Sequence, residues 1–124
     1  MSFLRLSAAA VAVAALASPA SAQPAGLVIQ VYSYGFAPRP IHLAAGRPVR
    51  LTFVNQSGSS HDFSASGFFA RSRILSGDAS NGEVDLPPHQ TRTVTLVPTA
   101  GTYHAHCSHF FHKQMGMSDV IVVN

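Results

Sequence analysis

The chain has 124 residues, of which 47% are hydrophobic and only 10% are charged. This length allows one domain, and the low charged fraction argues against an intrinsically disordered chain. The formal charge of +3 comes mainly from scattered arginines, whereas a nucleic-acid-binding protein usually carries a basic run or stripe. The single cysteine, Cys107, rules out an internal disulfide and with it a disulfide-stapled fold.

The first 22 residues have the pattern of a secretory signal peptide. Arg5 supplies a positive charge, residues 6–17 form an apolar stretch, and Ala20–Ala22 is a typical small-residue cleavage site. The apolar stretch is shorter than the roughly 20 residues that a transmembrane helix needs. We therefore predict a signal peptide over 1–22 and an exported domain over 23–124, located in the periplasm or outside the cell and not spanning a membrane.

The rest of the sequence has the pattern of short β-strands separated by turns. Residues 49–54 alternate with period two, so that Val49, Leu51 and Phe53 share one face of a strand. Residues 63–82 are harder to interpret, and we expect one or two helical turns within 69–75, followed by a loop. Strands are predicted over 27–34, 41–44, 49–54, 83–86, 91–97 and 101–107, and a last strand runs from Met117 or Ser118 to Val123.

About seven or eight short strands without a long amphipathic helix are typical of an antiparallel β-sandwich. A chain of this length buries enough surface for one hydrophobic core. The sequence therefore predicts an all-β sandwich, in which Phe68 and Phe69 belong to the core.

Soft and borderline metal donors are concentrated near the C-terminus. Residues 103–117 contain four of the seven histidines, the only cysteine and two of the three methionines. Thiolate and thioether ligands favour Cu(I), and imidazole also binds Cu(II). The segment therefore predicts a copper site.

Two histidines and a cysteine around copper, with a weak axial methionine, form the usual electron-transfer arrangement. Cys107, His112 and a methionine share one loop, so the second histidine must come from elsewhere. His61, at the end of a Ser/Gly-rich loop, is the best candidate. Met117 is preferred to Met115 as axial ligand, because Met115 leaves only two residues after His112 for the chain to turn.

The order of these residues resembles the cupredoxins, the small blue copper proteins that include plastocyanin and azurin. Residues 55–61 resemble the first-ligand segment, residues 107–117 resemble the ligand loop with its Cys-x4-His-x4-Met spacing, and residues 119–123 resemble the last strand. The resemblance covers most of 27–124. It implies a Greek-key β-sandwich with one type 1 copper ion at one end. The implied activity is transfer of single electrons between redox partners, which is not an enzymatic reaction.

Two residues depart from the usual pattern of that family. Asp62 stands where blue copper proteins usually have Asn, and we expect its carboxylate to accept hydrogen bonds from the hydroxyl or amide of Ser108. His109 is an additional histidine, two residues after Cys107. We expect it to face solvent, with a fifth-donor role or substitution for His112 as the alternatives.

A second function stays open, because the chain has more donors than a blue copper site needs. His104 and His106 lie on one face of a predicted strand, opposite Cys107, where we expect them to be exposed, with a second metal site as the alternative. Extracytoplasmic copper delivery, sequestration or resistance would use such donors. For electron transfer, we expect a monomer whose redox partners dock transiently over Phe110 and Phe111.

Overall fold

The computed structural model describes residues 2, 7–12, 23–109, 111 and 115–124. Most of the predicted signal peptide, Phe110 and His112 therefore lie outside the described residues. Within the described part, ten strands form two five-stranded sheets. The strands are β1 Ala25–Tyr32, β2 Gly35–Ala37, β3 Ile41–Leu43, β4 Val49–Asn55, β5 His61–Ser64, β6 Arg73–Ser76, β7 Glu83–Leu86, β8 Thr91–Val97, β9 Gly101–His106 and β10 Ser118–Val123.

The strand order is β2-β1-β4-β8-β6 in the first sheet and β3-β10-β9-β5-β7 in the second. From β2 to β9 the chain changes sheet at every connection, so strands distant in sequence become neighbours. The predicted Greek-key β-sandwich is confirmed. The expectation of purely antiparallel pairing is wrong for two pairs, since β1 pairs with β4 and β3 pairs with β10 in parallel. In each pair, the chain between the two strands passes through the other sheet. No tight hairpin connects the paired strands, so they are not forced to be antiparallel.

The predicted number of strands is too low. The strand predicted over 27–34 ends at Tyr32, and a turn at Ser33 and Tyr34 leads into β2. Strand β6 lies in a region expected to be a short helix and loop. All four of its residues are exposed, so it has no alternation of buried and exposed residues that the sequence could reveal.

One short α-helix, α1, spans Ser66–Arg71, which is earlier than the expected 69–75. A 3-10 turn spans Ser80–Gly82. Phe68 and Phe69 on α1 are buried, as the sequence predicts for core residues. In the described part of the chain, no helix has the length and apolar character needed to cross a membrane.

Phe63 of β5 lies at the centre of an aromatic cluster between the two sheets. Its ring centroid is 4.8 Å from that of Phe53, 5.3 Å from that of Phe36 and 6.2 Å from that of Phe69. Because side chains alternate along a strand, His61 points to the same side of β5 as Phe63. The core therefore extends along β5 directly to His61.

Candidate metal centre

Strand β9 delivers Cys107 to the interior of the sandwich. Tyr103 and Ala105 are buried on the inner side of β9, and Cys107, the next residue in that alternation, is fully buried. His104 is exposed and His106 is half-buried, on the opposite face of the strand. The separation of the two histidines from Cys107 agrees with the alternation in the sequence.

His61 and Cys107 lie side by side, although 46 residues separate them in the chain. Nδ1 of His61 is 3.9 Å from Sγ of Cys107. His61 is 1% exposed and Cys107 is 0% exposed. Zn²⁺, an ion close in size to copper, bonds imidazole nitrogen at about 2.0 Å and thiolate sulfur at about 2.3 Å. The sum of these lengths exceeds 3.9 Å, so the two donor atoms are close enough to share one such ion.

The loop that precedes His61 is held by the side chain of Asn55, which is buried at the end of β4. Its nitrogen donates hydrogen bonds to the carbonyl of Ser59 at 2.9 Å and to two carbonyls at the end of β7 at 2.9 and 3.1 Å. Its oxygen accepts hydrogen bonds from the amide and hydroxyl of Ser57 at 3.0 and 2.8 Å. Both polar groups of Asn55 are thus satisfied, and they fix the loop that leads into His61.

The far edge of the His61 ring faces the turn between β1 and β2. The hydroxyl oxygen of Ser33 lies 3.0 Å from Nε2 of His61 and forms a hydrogen bond with it. The ring of Tyr34 meets the His61 ring edge-on, with the centroids 6.3 Å apart. Sequence reasoning missed both contacts, because no motif or spacing marks a turn 28 residues upstream as a neighbour of His61.

Asp62 joins β5 to the segment that follows Cys107. Its Oδ1 accepts hydrogen bonds from the Ser108 amide at 2.8 Å and from the Ser64 hydroxyl at 2.8 Å. Its Oδ2 accepts one from the Ser108 hydroxyl. The carboxylate is buried, so these bonds are little weakened by water. They connect the strand that carries His61 to the beginning of the C-terminal loop.

His109 lies closer to the site than the sequence analysis expects. Its Nε2 is 3.6 Å from Oδ2 of Asp62, and 39% of its side chain is exposed. The potential ligand atoms of Asp62, Cys107 and His109 all lie within 4.8 Å of one another. His109 is therefore placed beside the other donors and does not simply face solvent.

The two methionines differ sharply in burial. Met117 is 0% exposed, whereas Met115 is 57% exposed. The amide of Cys107 donates a hydrogen bond to the carbonyl of Met117 at 3.1 Å, so these two residues lie side by side where β9 and β10 diverge. The fourth candidate ligand, His112, lies outside the described residues.

The environment of the Cys107 sulfur disfavours an isolated thiolate. Burial raises the pKa of the Cys107 thiol, and the negative charge of Asp62 adds to this rise. Backbone hydrogen bonds from Asp62 and His109 oppose it. A bound metal ion supplies the positive charge that deprotonates a coordinating thiol, and the neighbouring imidazole and thioether types suit copper. The donor set therefore fits a copper ion.

Asp119 is a buried acid that sequence reasoning treated only as part of the last strand. It is 2% exposed, and within the described chain its Oδ2 has no hydrogen-bond partner. Burial raises its pKa to about 6, against the lowering effects of the Val120 amide and the charge of Arg39. The alternation of β10 directs it inward between Met117 and Ile121, where a hydrophobic residue would be expected.

Comparison with known proteins agrees with this architecture. The sequence profile of the cupredoxin-like domain matches residues 5–123. No curated protein matches the chain. Auracyanin B is a similar solved structure, with 22% identity over 83% of this chain and 91% of that chain and a TM-score of 0.59.

Two further solved structures resemble the chain at similar levels. Dithionite-reduced auracyanin from the photosynthetic bacterium Roseiflexus castenholzii has 17% identity over 83% of this chain and 99% of that chain, with a TM-score of 0.61. Auracyanin A from Chloroflexus aurantiacus, described as a "blue" copper protein, has 21% identity over 82% of this chain and 100% of that chain, with a TM-score of 0.58. These likenesses establish a common fold. Since the family profile spans almost the whole sequence, the resemblance inferred from the motifs is confirmed, and the chain belongs to the cupredoxin-like domain family.

Proposed function

We propose that this protein is an exported type 1 copper protein that carries single electrons between redox partners. Its copper ligands are His61, Cys107, His112 and Met117, with Asp62 and Ser108 as the residues that support them. The observation that carries the proposal is the 3.9 Å approach of His61 Nδ1 to Cys107 Sγ in a chain of the cupredoxin-like family. The described auracyanins, one of them named a "blue" copper protein, are consistent with it.

The surroundings of the donors suit electron transfer. Bound copper would supply a one-electron Cu(II)/Cu(I) couple. His61, Cys107 and Met117 are at most 1% exposed, so water has little access to them. Asn55 and Asp62 hold the segments that carry His61 and Cys107 through several hydrogen bonds. Donors that are fixed in this way move little when the charge of the ion changes, which keeps the reorganisation energy low. No bond is made or broken, and the proposal does not include an enzymatic activity.

Burial supports Met117 as the axial ligand. Its side chain is enclosed next to Cys107, whereas that of Met115 is mostly in solvent. Met115 and Phe111, which is 58% exposed, instead present apolar surface at the end of the sandwich where the C-terminal loop lies. We propose that a monomer docks its redox partners transiently at this end, through a small interface. The partners would be periplasmic or extracellular redox proteins.

The second candidate function is the binding of copper for delivery, sequestration or resistance. One observation favours it, which is the set of accessible donors beyond the four ligands. His104 and Met115 are exposed, and His109 is half-exposed beside Asp62. Such a protein would bind more than one copper ion per chain.

The absorption spectrum of the copper-loaded mature protein tests the proposed function. We expect one copper per chain and an intense visible band from charge transfer between thiolate and Cu(II). Cys107→Ser should abolish the band and leave the β-sheet circular dichroism unchanged, whereas His42→Gln, at an exposed position of β3, should leave both unchanged. A colourless wild-type protein that takes up several copper ions would favour copper handling. A band that survives in Cys107→Ser would contradict the assignment of the thiolate ligand.

A further inference from the structure

We infer that the turn between β1 and β2 is a third segment of the metal centre, in which Ser33 is a positioning residue for His61. The inference rests on the proposed copper function and deepens it. It concerns how the His61 ring is oriented so that Nδ1 faces the proposed copper site. The turn belongs to the first sheet, whereas His61 and Cys107 belong to the second.

The two nitrogens of His61 have different neighbours. Nδ1 lies 3.9 Å from Sγ of Cys107, and Nε2 lies 3.0 Å from the hydroxyl oxygen of Ser33. A neutral imidazole carries a proton on one nitrogen and a lone pair on the other. If Nδ1 gives its lone pair to a metal ion, the proton must be on Nε2, which then donates its hydrogen bond to Ser33. The Ser33 hydroxyl can accept this hydrogen bond, so the contact holds the ring with Nδ1 towards Cys107.

The position of Ser33 is itself fixed by strand pairing. Tyr32 pairs with Gly35 and Val31 pairs with Phe36, which leaves Ser33 and Tyr34 as the two central residues of a tight hairpin turn. Val31 and Phe36 are at most 1% exposed and anchor this hairpin in the core. The hydroxyl is thus presented to His61 by a well-anchored element.

The next residue of the turn limits the motion of the His61 ring. The Tyr34 ring meets the imidazole edge-on at a centroid distance of 6.3 Å. His61 is only 1% exposed, so a water molecule has little room to replace the hydroxyl as a partner of Nε2. Ser33 and Tyr34 therefore constrain the orientation of the same side chain.

The hydrogen bond should also affect the metal. An acceptor on Nε2–H increases the electron density on Nδ1 and stabilises Cu(II) more than Cu(I). Loss of a residue that supports a ligand in this way typically lowers metal affinity by about 10- to 100-fold. In Ser33→Ala we therefore expect a loss of about that size for Cu(II), a smaller loss for Cu(I), and a reduction potential shifted to more positive values.

Chelator competition for Cu(II) and Cu(I), together with voltammetry, tests this expectation on wild type and three variants. Ser33→Ala should show the losses, and Ser33→Thr, which retains a hydroxyl, should recover most of the Cu(II) affinity and the potential. The matched control is Ser72→Ala, which removes a hydroxyl that bonds the Phe68 carbonyl on α1. It should behave as wild type. Equal Cu(II) affinity and potential in Ser33→Ala and wild type would overturn the inference.

A second measurement does not depend on the folding of any variant. Nitrogen-15 NMR of the metal-free wild-type protein should find that Nε2 of His61 is hydrogen-bonded, as donor or as acceptor. An Nε2 shift that shows no hydrogen bond at this nitrogen would overturn the inference even if copper binds. If wild type binds no copper at all, the proposed function fails, whereas the Nε2 shift still reports on the contact between Ser33 and His61.

Discussion

Strand β5 passes through two regions that are stabilised in different ways. Phe63 lies in an aromatic cluster, where its neighbours Phe36 and Phe53 contribute apolar packing. His61 and Asp62, at the beginning of the same strand, are also buried, but their neighbours are polar and each contact joins particular atoms. The aromatic region therefore governs whether the chain folds, and the polar region governs where the metal donors lie within the folded chain.

This difference has an energetic basis. Apolar packing depends on volume and tolerates conservative exchanges at a cost usually below about 1.5 kcal/mol. A buried polar group that loses its partner costs about 1–3 kcal/mol, even when its shape is unchanged. We therefore expect the aromatic cluster to be sensitive to truncation and the polar region to be sensitive to isosteric changes that alter hydrogen bonding.

The largest expected effect is that of Phe63→Ala in the aromatic cluster. Removal of a fully buried phenyl ring should reduce the free energy of unfolding by about 3–5 kcal/mol. Urea denaturation of the metal-free protein measures it. Phe111→Ala, at a ring that is 58% exposed, is the control and should change stability by less than about 0.5 kcal/mol. A loss below about 1 kcal/mol for Phe63→Ala would mean that the cluster does not dominate the core.

Asn55→Asp should cause the second-largest loss of stability. It changes the hydrogen-bonding groups of the side chain but hardly its shape. The new carboxylate has nearly the same size, but it cannot donate to the three carbonyls that Asn55 contacts. We expect a loss of about 2–4 kcal/mol in the free energy of unfolding, from unsatisfied and mutually repelling oxygens. Asn81→Asp, at an exposed position with a φ of 59°, is the matched control. Equal stabilities of the two variants would show that the loop before His61 does not need Asn55.

Asp119→Asn should stabilise the metal-free protein at neutral pH. Its pKa is raised from an ordinary value of 3.8 to about 6, so the folded state holds this proton more tightly than the unfolded state does. The free energy of unfolding therefore falls as pH rises from about 4 to about 6, and the loss persists at pH 7. A shift of about two units corresponds to at most about 3 kcal/mol.

Denaturation curves at several pH values between 4 and 7 measure this contribution. Asp119→Asn should remove it and be the more stable protein at pH 7. Asp78→Asn provides a control of opposite sign, because hydrogen bonds from Ser80 lower the pKa of the exposed Asp78. An unchanged pH profile in Asp119→Asn would mean that Asp119 does not titrate in this range.

The two methionine variants should have the smallest effect on stability. Their reduction potentials, however, identify the axial ligand. Met117→Leu and Met115→Leu preserve volume and should each change the free energy of unfolding by less than about 1.5 kcal/mol. Only Met117→Leu should raise the reduction potential, because loss of a donor disfavours the more highly charged Cu(II). Voltammetry of both variants decides between the two candidates. A shift confined to Met115→Leu would reverse the axial assignment.

Much of the fold could be predicted because a strand with one buried face has hydrophobic residues at every second position. Val49, Leu51 and Phe53 alternate as predicted and are all buried, and strands 83–86 and 91–97 have the predicted bounds. Strand β6 could not be predicted, since an exposed edge strand has no such period. The parallel pairs also could not be predicted, because pairing between distant strands depends on how the connections cross the sandwich.

In the candidate site, too, some residues could be predicted from the sequence and others could not. His61 and Cys107 could be associated by their residue types and order, which metal chemistry constrains. Ser33 and Asn55 could not be assigned their contacts, because serine and asparagine are common in turns and loops for purely local reasons. Only the fold brings the β1–β2 turn next to His61 and the end of β7 next to Asn55.

The hydrogen bond between the Cys107 amide and the Met117 carbonyl has a consequence for changes in loop length. Together with the pairing of His106 with Ser118, it clamps both ends of the segment 108–116 onto the sheet. For a chain segment with anchored ends, doubling the length costs only about 0.6 kcal/mol in closure entropy. A change in the length of this stretch that keeps Ser108 and His112 would therefore cost the sandwich little stability, while the two sulfur-bearing residues at its borders stay in place.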